Sequence, residues 1–155
     1  LGEKCSSVSA ARTMARKALQ SGAALEKFRE MCKSQHATVD VTQNQKALKV
    51  STHTAELIAW KSGGISKMDT QSIGLLVASD MGGGRMKTTA QIDYGVGVIF
   101  HAKVGSTVKK GDSLATIYYN PARKPSIETL LANLQKAYQL TGGRVSSPKL
   151  IKKVI

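Results

Sequence analysis

Over residues 9–34, apolar side chains recur at three- and four-residue intervals, the spacing of one helix face. Ser9–Gln20 reads as a first helix. Ser9 is placed to cap it, Ala10, Ala11, Ala15, Ala18 and Leu19 favour it, and Ser21-Gly22 stops it. Ala23–Ser34 reads as a second helix. It sets Leu25, Phe28, Met31 and Cys32 on one face, with Glu26, Lys27, Arg29, Glu30 and Lys33 on the wet side. Joined by Ser-Gly, the two predict a helical hairpin.

Thr38–Val50 alternates weakly and reads as a loop, then a strand. Ala47–Ser51 and Glu56–Ala59 read as strands, and Ser62-Gly63-Gly64 as a turn. Asp69 is placed to cap a helix from Thr70 to about Met81, with Ile73, Leu76, Val77 and Met81 inward. Gly82-Gly83-Gly84 ends that helix. Ile92–Tyr94, Val96–Ala102 and Ser113–Tyr119 read as strands, with turns at Val104-Gly105 and Lys110-Gly111-Asp112. Pro125 opens a last helix to about Leu140, with Ile127, Leu130, Leu131, Leu134 and Tyr138 on one face, and Gly142-Gly143 stops it. Arg144–Ile155 reads as a basic tail with a short β-like end. The predicted class is α+β: a helical hairpin, then a small antiparallel sheet domain with packing helices. The predicted organisation is a helical arm over 1–35, an α/β domain over 36–143 and a basic tail over 144–155.

Charge changes this picture most. The 155 residues carry 23 Lys and Arg against 10 acids, a net charge of +13. A field of that size attracts polyanions. Residues 1–35 carry +4, residues 36–80 are balanced, residues 81–120 carry +3 and residues 121–155 carry +6. A neutral middle with basic ends reads as a folded body with polyanion-facing arms. The candidate contacts are Lys4, Arg12, Arg16, Lys17, Arg123, Lys124, Arg144, Lys149, Lys152 and Lys153. Apolar runs such as Val96–Phe100 fall far short of the ~20 residues a spanning helix needs. Cys5 and Cys32 read as free thiols of a reducing compartment, too few for a disulfide scaffold. The start at Leu1 reads as a processed form or an excerpt of a longer product. Val8–Ala18 has no secretory character, while a cleaved organelle presequence would leave no trace.

Catalytic signatures are weak. Gly82-Gly83-Gly84-Arg85 follows a helix, at its electronegative end, whereas a phosphate cradle precedes one. Lys61-Ser62-Gly63-Gly64 lacks the Walker spacing and a following helix, and reads as a hairpin turn. His36, His53 and His101 lie in different elements without metal-ligand spacing, so no metal is expected. Asp69, Asp80, Asp93 and Asp112 read as caps and turn residues, although Asp93 and Tyr94 have the alternative of a buried polar pair. Trp60 reads as core or interface. Val104–Ala115, with Lys-Gly-Asp-x-Leu, has the pattern of hammerhead, barrel-sandwich folds. Biotinyl and lipoyl carriers of that fold display a Lys at a hairpin tip; Lys67-Met68-Asp69, the nearest lookalike, precedes a helix rather than joining two strands, so a carrier role is not expected.

Six segments together carry a resemblance. They are Gln20–Phe28 (QSGAALEKF), Ile65–Asp69 (ISKMD), Ile73-Gly74, Met81–Arg85 (MGGGR), Ile92–Gly97 (IDYGVG) and Lys110-Gly111-Asp112. In order and interval they resemble the C-terminal part of bacterial-type thymidine phosphorylases, the pyrimidine nucleoside phosphorylases. The resemblance runs from about residue 8 to the end. It implies a helical hairpin from the end of a large domain, followed by a hammerhead-type domain. It also implies that the family's phosphate loop, its base-holding Arg, Ser and Lys, and its His all lie in an N-terminal portion with no counterpart here. No catalytic residue and no cofactor therefore carries over. The family's dimer contacts lie mostly in that portion too, so no homodimer is expected through them. The basic excess departs from the family.

Three readings follow. The first is a non-catalytic descendant, a structural subunit of a large assembly. A mitochondrial ribosome fits best, with the basic ends on RNA and neighbouring protein subunits, and a respiratory-chain assembly is a weaker version. Its location would be mitochondrial, otherwise cytoplasmic. The second is a part of a working phosphorylase, completing a cleft with an N-terminal portion. The third is a free-standing small-ligand binder, for which no pocket signature is visible.

Overall fold

The computed structural model describes residues 4–123 and 125–149. The chain divides into two compact units, Leu1–Leu48 and Lys49–Ile155.

The first unit is a helical hairpin, α1 (Val8–Gln20) and α2 (Ala23–Ser34). The cap of α1 is Ser7, not Ser9: Ser7 Oγ accepts the Ala10 N–H at 3.2 Å, and Ser9 falls inside the first turn. Gly22, at φ +80°, turns the chain directly into α2. Arg29 ties α2 to the segment after it. Its Nε donates to Thr42 Oγ1 at 2.8 Å, and the guanidinium pairs with Glu26 and, at 3.4 Å, with Asp40. The Thr42 hydroxyl, then its N–H and Arg29, hold the Asp40 carboxyl below the usual aspartate range. No residue of either helix is buried. Ala47–Ser51 is not a strand: Gln45–Ala47 is a single 3₁₀ turn, and among the described residues no strand precedes Thr54.

Among its described residues the second unit holds two three-stranded antiparallel sheets and two α-helices. β1 (Thr54–Ile58), β5 (Ser113–Tyr118) and β3 (Gly97–Phe100) form one sheet in the order β1-β5-β3. The register sets Leu57 beside Ala115 and Val98 beside Ile117, which puts all four on the inner face. The second sheet has the order β4-β2-β6, with β2 (Gly63–Met68), β4 (Thr107–Val108) and β6 (Tyr138–Thr141). Leu114, Ile117, Ile65, Leu134 and Met81 are fully buried and belong to one apolar core.

Several predicted elements differ. Gly63 and Gly64 do not turn; they open β2. A Cβ on Gly63 would stand 2.1 Å from the Thr141 carbonyl oxygen, so glycine here permits two backbones to meet rather than a reversal. The last helix, α4 (Ile127–Lys136), ends earlier than the apolar period suggests. Tyr138–Thr141 leaves it to pair with β2, with Leu140 opposite Ile65 and Tyr138 opposite Met68. Tyr138 lies inward both at helical spacing and at strand spacing, whereas Leu140, two residues on, fits the inner face only of a strand. Ser126, not Pro125, is the residue preceding the helix. Asp69 does cap its helix, α3 (Thr70–Leu75), but the helix then widens into a π-turn, Leu76–Asp80, before Met81. Ile92–Tyr94 is loop. Residues 144–149 have no regular structure, and the β-like end lies outside the described residues.

Candidate functional site

The loop Gln91–Gly95 is held by a polar knot. Asp93 Oδ2 accepts from Asn120 Nδ2 at 3.0 Å, Asp93 Oδ1 accepts the Gly95 N–H at 3.1 Å, and the Asp93 N–H donates to the Gly82 carbonyl at 2.8 Å. Arg123 closes it, with Nε 3.9 Å from Asp93 Oδ2 and Nη2 donating to the Gln91 carbonyl at 3.3 Å. Its guanidinium lies over Gly82, where a Cβ would stand 2.3 Å from Nη1, and Gly82 itself sits at φ +78°. The Asn120 amide, then the Gly95 N–H and Arg123, pull the Asp93 carboxyl below the aspartate range. Asp93 and Tyr94 are therefore not a buried pair. Asp93 faces inward to the knot, and Tyr94 is 81% exposed. Gly82–Gly84 is a helix exit, whose carbonyl is used by Asp93.

Beside α3 an apolar groove of about 830 Å³ runs between Ile73 and Val77 on one side and Val98 and Phe100 on the other, with Lys103 at its margin. A second hollow of about 550 Å³ has a mixed lining, with Asp69, Ser72, Asp80 and Lys136 beside Leu75, Leu76 and Met86. Asp69 is occupied as a cap there, accepting the Ser72 N–H at 3.2 Å and the Ser72 hydroxyl at 2.8 Å. These bonds lower its pKa. Among the described residues, no three His, Cys, Asp or Glu side chains gather into a metal-binding group. His101 Nε2 lies 2.7 Å from Thr116 Oγ1, and His53 sits edge-on to Tyr119 at 6.0 Å, in separate places. Burial pushes the Tyr138 phenol up to about 12, and its hydroxyl donates to the Ala102 carbonyl at 3.4 Å.

The predicted polyanion contacts fall into separate groups. Lys4, Arg12, Arg16 and Lys17 are exposed in the first unit, with Arg12 and Arg16 one turn apart on α1. Arg144 and Lys149 are exposed in the second unit, beyond β6. Arg123 is exposed at its edge but engaged in the Asp93 knot, so it is not a free cation. Lys124, Lys152 and Lys153 lie outside the described residues. The structure also brings together three lysines that charge counting by segment missed. Lys61, Lys109 and Lys110 come from two turns far apart in sequence that are hydrogen-bonded to each other. Their signal was present in the motifs Lys61–Gly64 and Lys110–Asp112, each judged singly.

Residues 64–141 match the family model described as the pyrimidine nucleoside phosphorylase C-terminal domain, half of the chain. The chain belongs to that family. It is 32% identical to a pyrimidine-nucleoside phosphorylase of Staphylococcus haemolyticus over 156 residues, covering all of this chain and 35% of that protein. It is 32% identical to the Geobacillus stearothermophilus pyrimidine-nucleoside phosphorylase over 151 residues, covering 97% of this chain and 34% of that one. A Staphylococcus aureus pyrimidine-nucleoside phosphorylase is 33% identical, again over 35% of its length. The chain thus spans about a third of the length of the curated relatives it matches, and corresponds to their C-terminal part.

Proposed function

We propose that this chain is the C-terminal part of a pyrimidine nucleoside phosphorylase and acts with an N-terminal portion that carries the nucleoside and phosphate sites. Its role in phosphorolysis of thymidine or uridine is architectural: it completes the cleft and supplies no reacting group. One observation carries this reading. The helices of the hairpin are amphipathic, yet Met14, Leu25, Phe28 and Met31 stand 42–51% exposed and nothing on either helix is buried. An apolar face of that kind is built to be covered. In the relatives, the remaining two-thirds of the protein is available to cover it.

The test is complementation. The full chain is co-expressed with a Geobacillus stearothermophilus phosphorylase truncated before the matching region. The expected result is co-elution and phosphate-dependent cleavage of uridine or thymidine that neither piece shows alone. Cleavage by this chain alone, or failure of the pair to associate, overturns the reading.

The charge of +13 favours a second reading, a non-catalytic scaffold in an RNA-containing assembly such as a mitochondrial ribosome. It predicts that the native protein sediments with a large particle and that ribonuclease releases it.

A further inference from the structure

We propose that Lys61, Lys109 and Lys110 form a preorganised contact for the phosphodiester backbone of a nucleic acid, independent of the phosphorylase reading. The three come from two turns that interlock. The Lys110 N–H donates to Ser62 Oγ at 2.9 Å, the Gly111 N–H to the Ala59 carbonyl at 2.9 Å, and the Ala59 N–H to the Asp112 carbonyl at 2.8 Å. Within the second turn, the Lys109 N–H donates to Asp112 Oδ2 at 2.8 Å, and the Asp112 N–H to the Lys109 carbonyl at 3.0 Å. These bonds tie the two turns to each other and close the second upon itself. All three lysines are exposed, and none takes part in an ion pair among the described residues. Asp112 is the nearest acid in sequence, and one of its oxygens is already used by a backbone N–H.

Three cations thus stand on a fixed base, so binding does not have to order the loops that carry them. The partner's chemistry follows from the cations. Carboxylate recognition favours the two-pronged geometry of arginine, and there is no arginine on either turn. Ammonium groups act as point charges and suit phosphates approached from many directions. Nothing on the two turns presents a flat, free stacking surface, because Trp60 is partly buried against the core. The contact is therefore with backbone rather than bases, and carries no sequence preference.

The experiment measures binding of the full chain to a fluorescent 20-nucleotide oligouridylate and to oligothymidylate of the same length, across a salt series. Wild type is compared with the triple variant Lys61→Gln/Lys109→Gln/Lys110→Gln. A second triple, Arg12→Gln/Arg16→Gln/Lys17→Gln, removes the same charge from α1. The corner variant is expected to lose at least tenfold in affinity for both oligonucleotides. Its log–log salt slope should fall by about 2, from the ~0.7 counterions released per phosphate contact on a single strand. The α1 variant should change by less than about threefold, and Lys→Arg at all three corner positions should restore binding. Equal losses in the two triple variants would reduce the effect to net charge and overturn the site. So would binding of a polyglutamate peptide as tight as that of the oligonucleotides. Phosphorolysis in the complemented enzyme is expected to be indifferent to the corner variant, which separates this test from that of the phosphorylase reading.

Discussion

The two units have similar proportions of apolar residues but use them differently. In Lys49–Ile155 the sheets and helices enclose residues such as Leu114, Ile117 and Leu134 completely, while in the hairpin every helical side chain remains at least partly open. Amphipathic pattern thus marks a face to be buried without saying against what. In one unit the chain itself supplies the other layer; in the other, on the proposed reading, an N-terminal portion supplies it.

Substitutions can sharpen that contrast, beginning with the largest effect. Leu134→Ala should cost about 3 kcal/mol of stability, because Leu134 is fully enclosed and its removal leaves a cavity. Denaturant unfolding followed by the fluorescence of Trp60, the one tryptophan, reads this unit alone. Next, Gly63→Ala should cost about 2 kcal/mol by forcing β2 from β6. Hydrogen exchange should then show lost protection at Ile65 and Leu140 rather than across β1 and β5.

Asp93→Asn should cost about 1 kcal/mol near neutral pH. Its sign with pH is fixed by the lowered pKa of Asp93. The stabilisation is complete above the ordinary aspartate range and is lost as pH falls through the lower folded value. Wild type and variant should therefore converge in acid; a gap that stays constant down to pH 2 would show that Asp93 does not act through its charge. Smallest of all, Leu25→Ala in the hairpin should shift the stability of the chain by less than about 0.5 kcal/mol. Leu25→Glu should nevertheless weaken association with the N-terminal portion at least tenfold. A large stability loss in Leu25→Ala alone would mean that the hairpin is already covered within this chain.

Much of this was legible in the sequence. Ala23–Ser34, the Asp69 cap and the helix exit at Gly82–Gly84 follow from period and end signals, which are local. The six segments also sufficed to place the chain in its family and fold class. What was not legible depends on partners distant in the chain. Gly63-Gly64 looks like a turn until Thr141 lies across it. Tyr138 continues the helical period until β2 offers an unpaired edge. Arg123 counts as surface charge until Asp93 and Gly82 are beside it. The lysine corner was hidden for the same reason, since its two turns meet only in the fold.

The position of β6 has a consequence for the order of events during synthesis. β2 is the centre of its sheet, and apart from the two-residue β4 its partner is a strand about seventy residues later, with Met68 opposite Tyr138. β1 likewise waits for β5, with Thr54 opposite Tyr118. As the chain emerges, the two helices of the hairpin follow one another directly and can pair at once. The second unit must remain open, its apolar strands unpaired, until Thr141 is available. The early part of the chain is thus ready to dock while the later part has yet to fold, and a chain cut short before β6 would keep the hairpin and lose the domain.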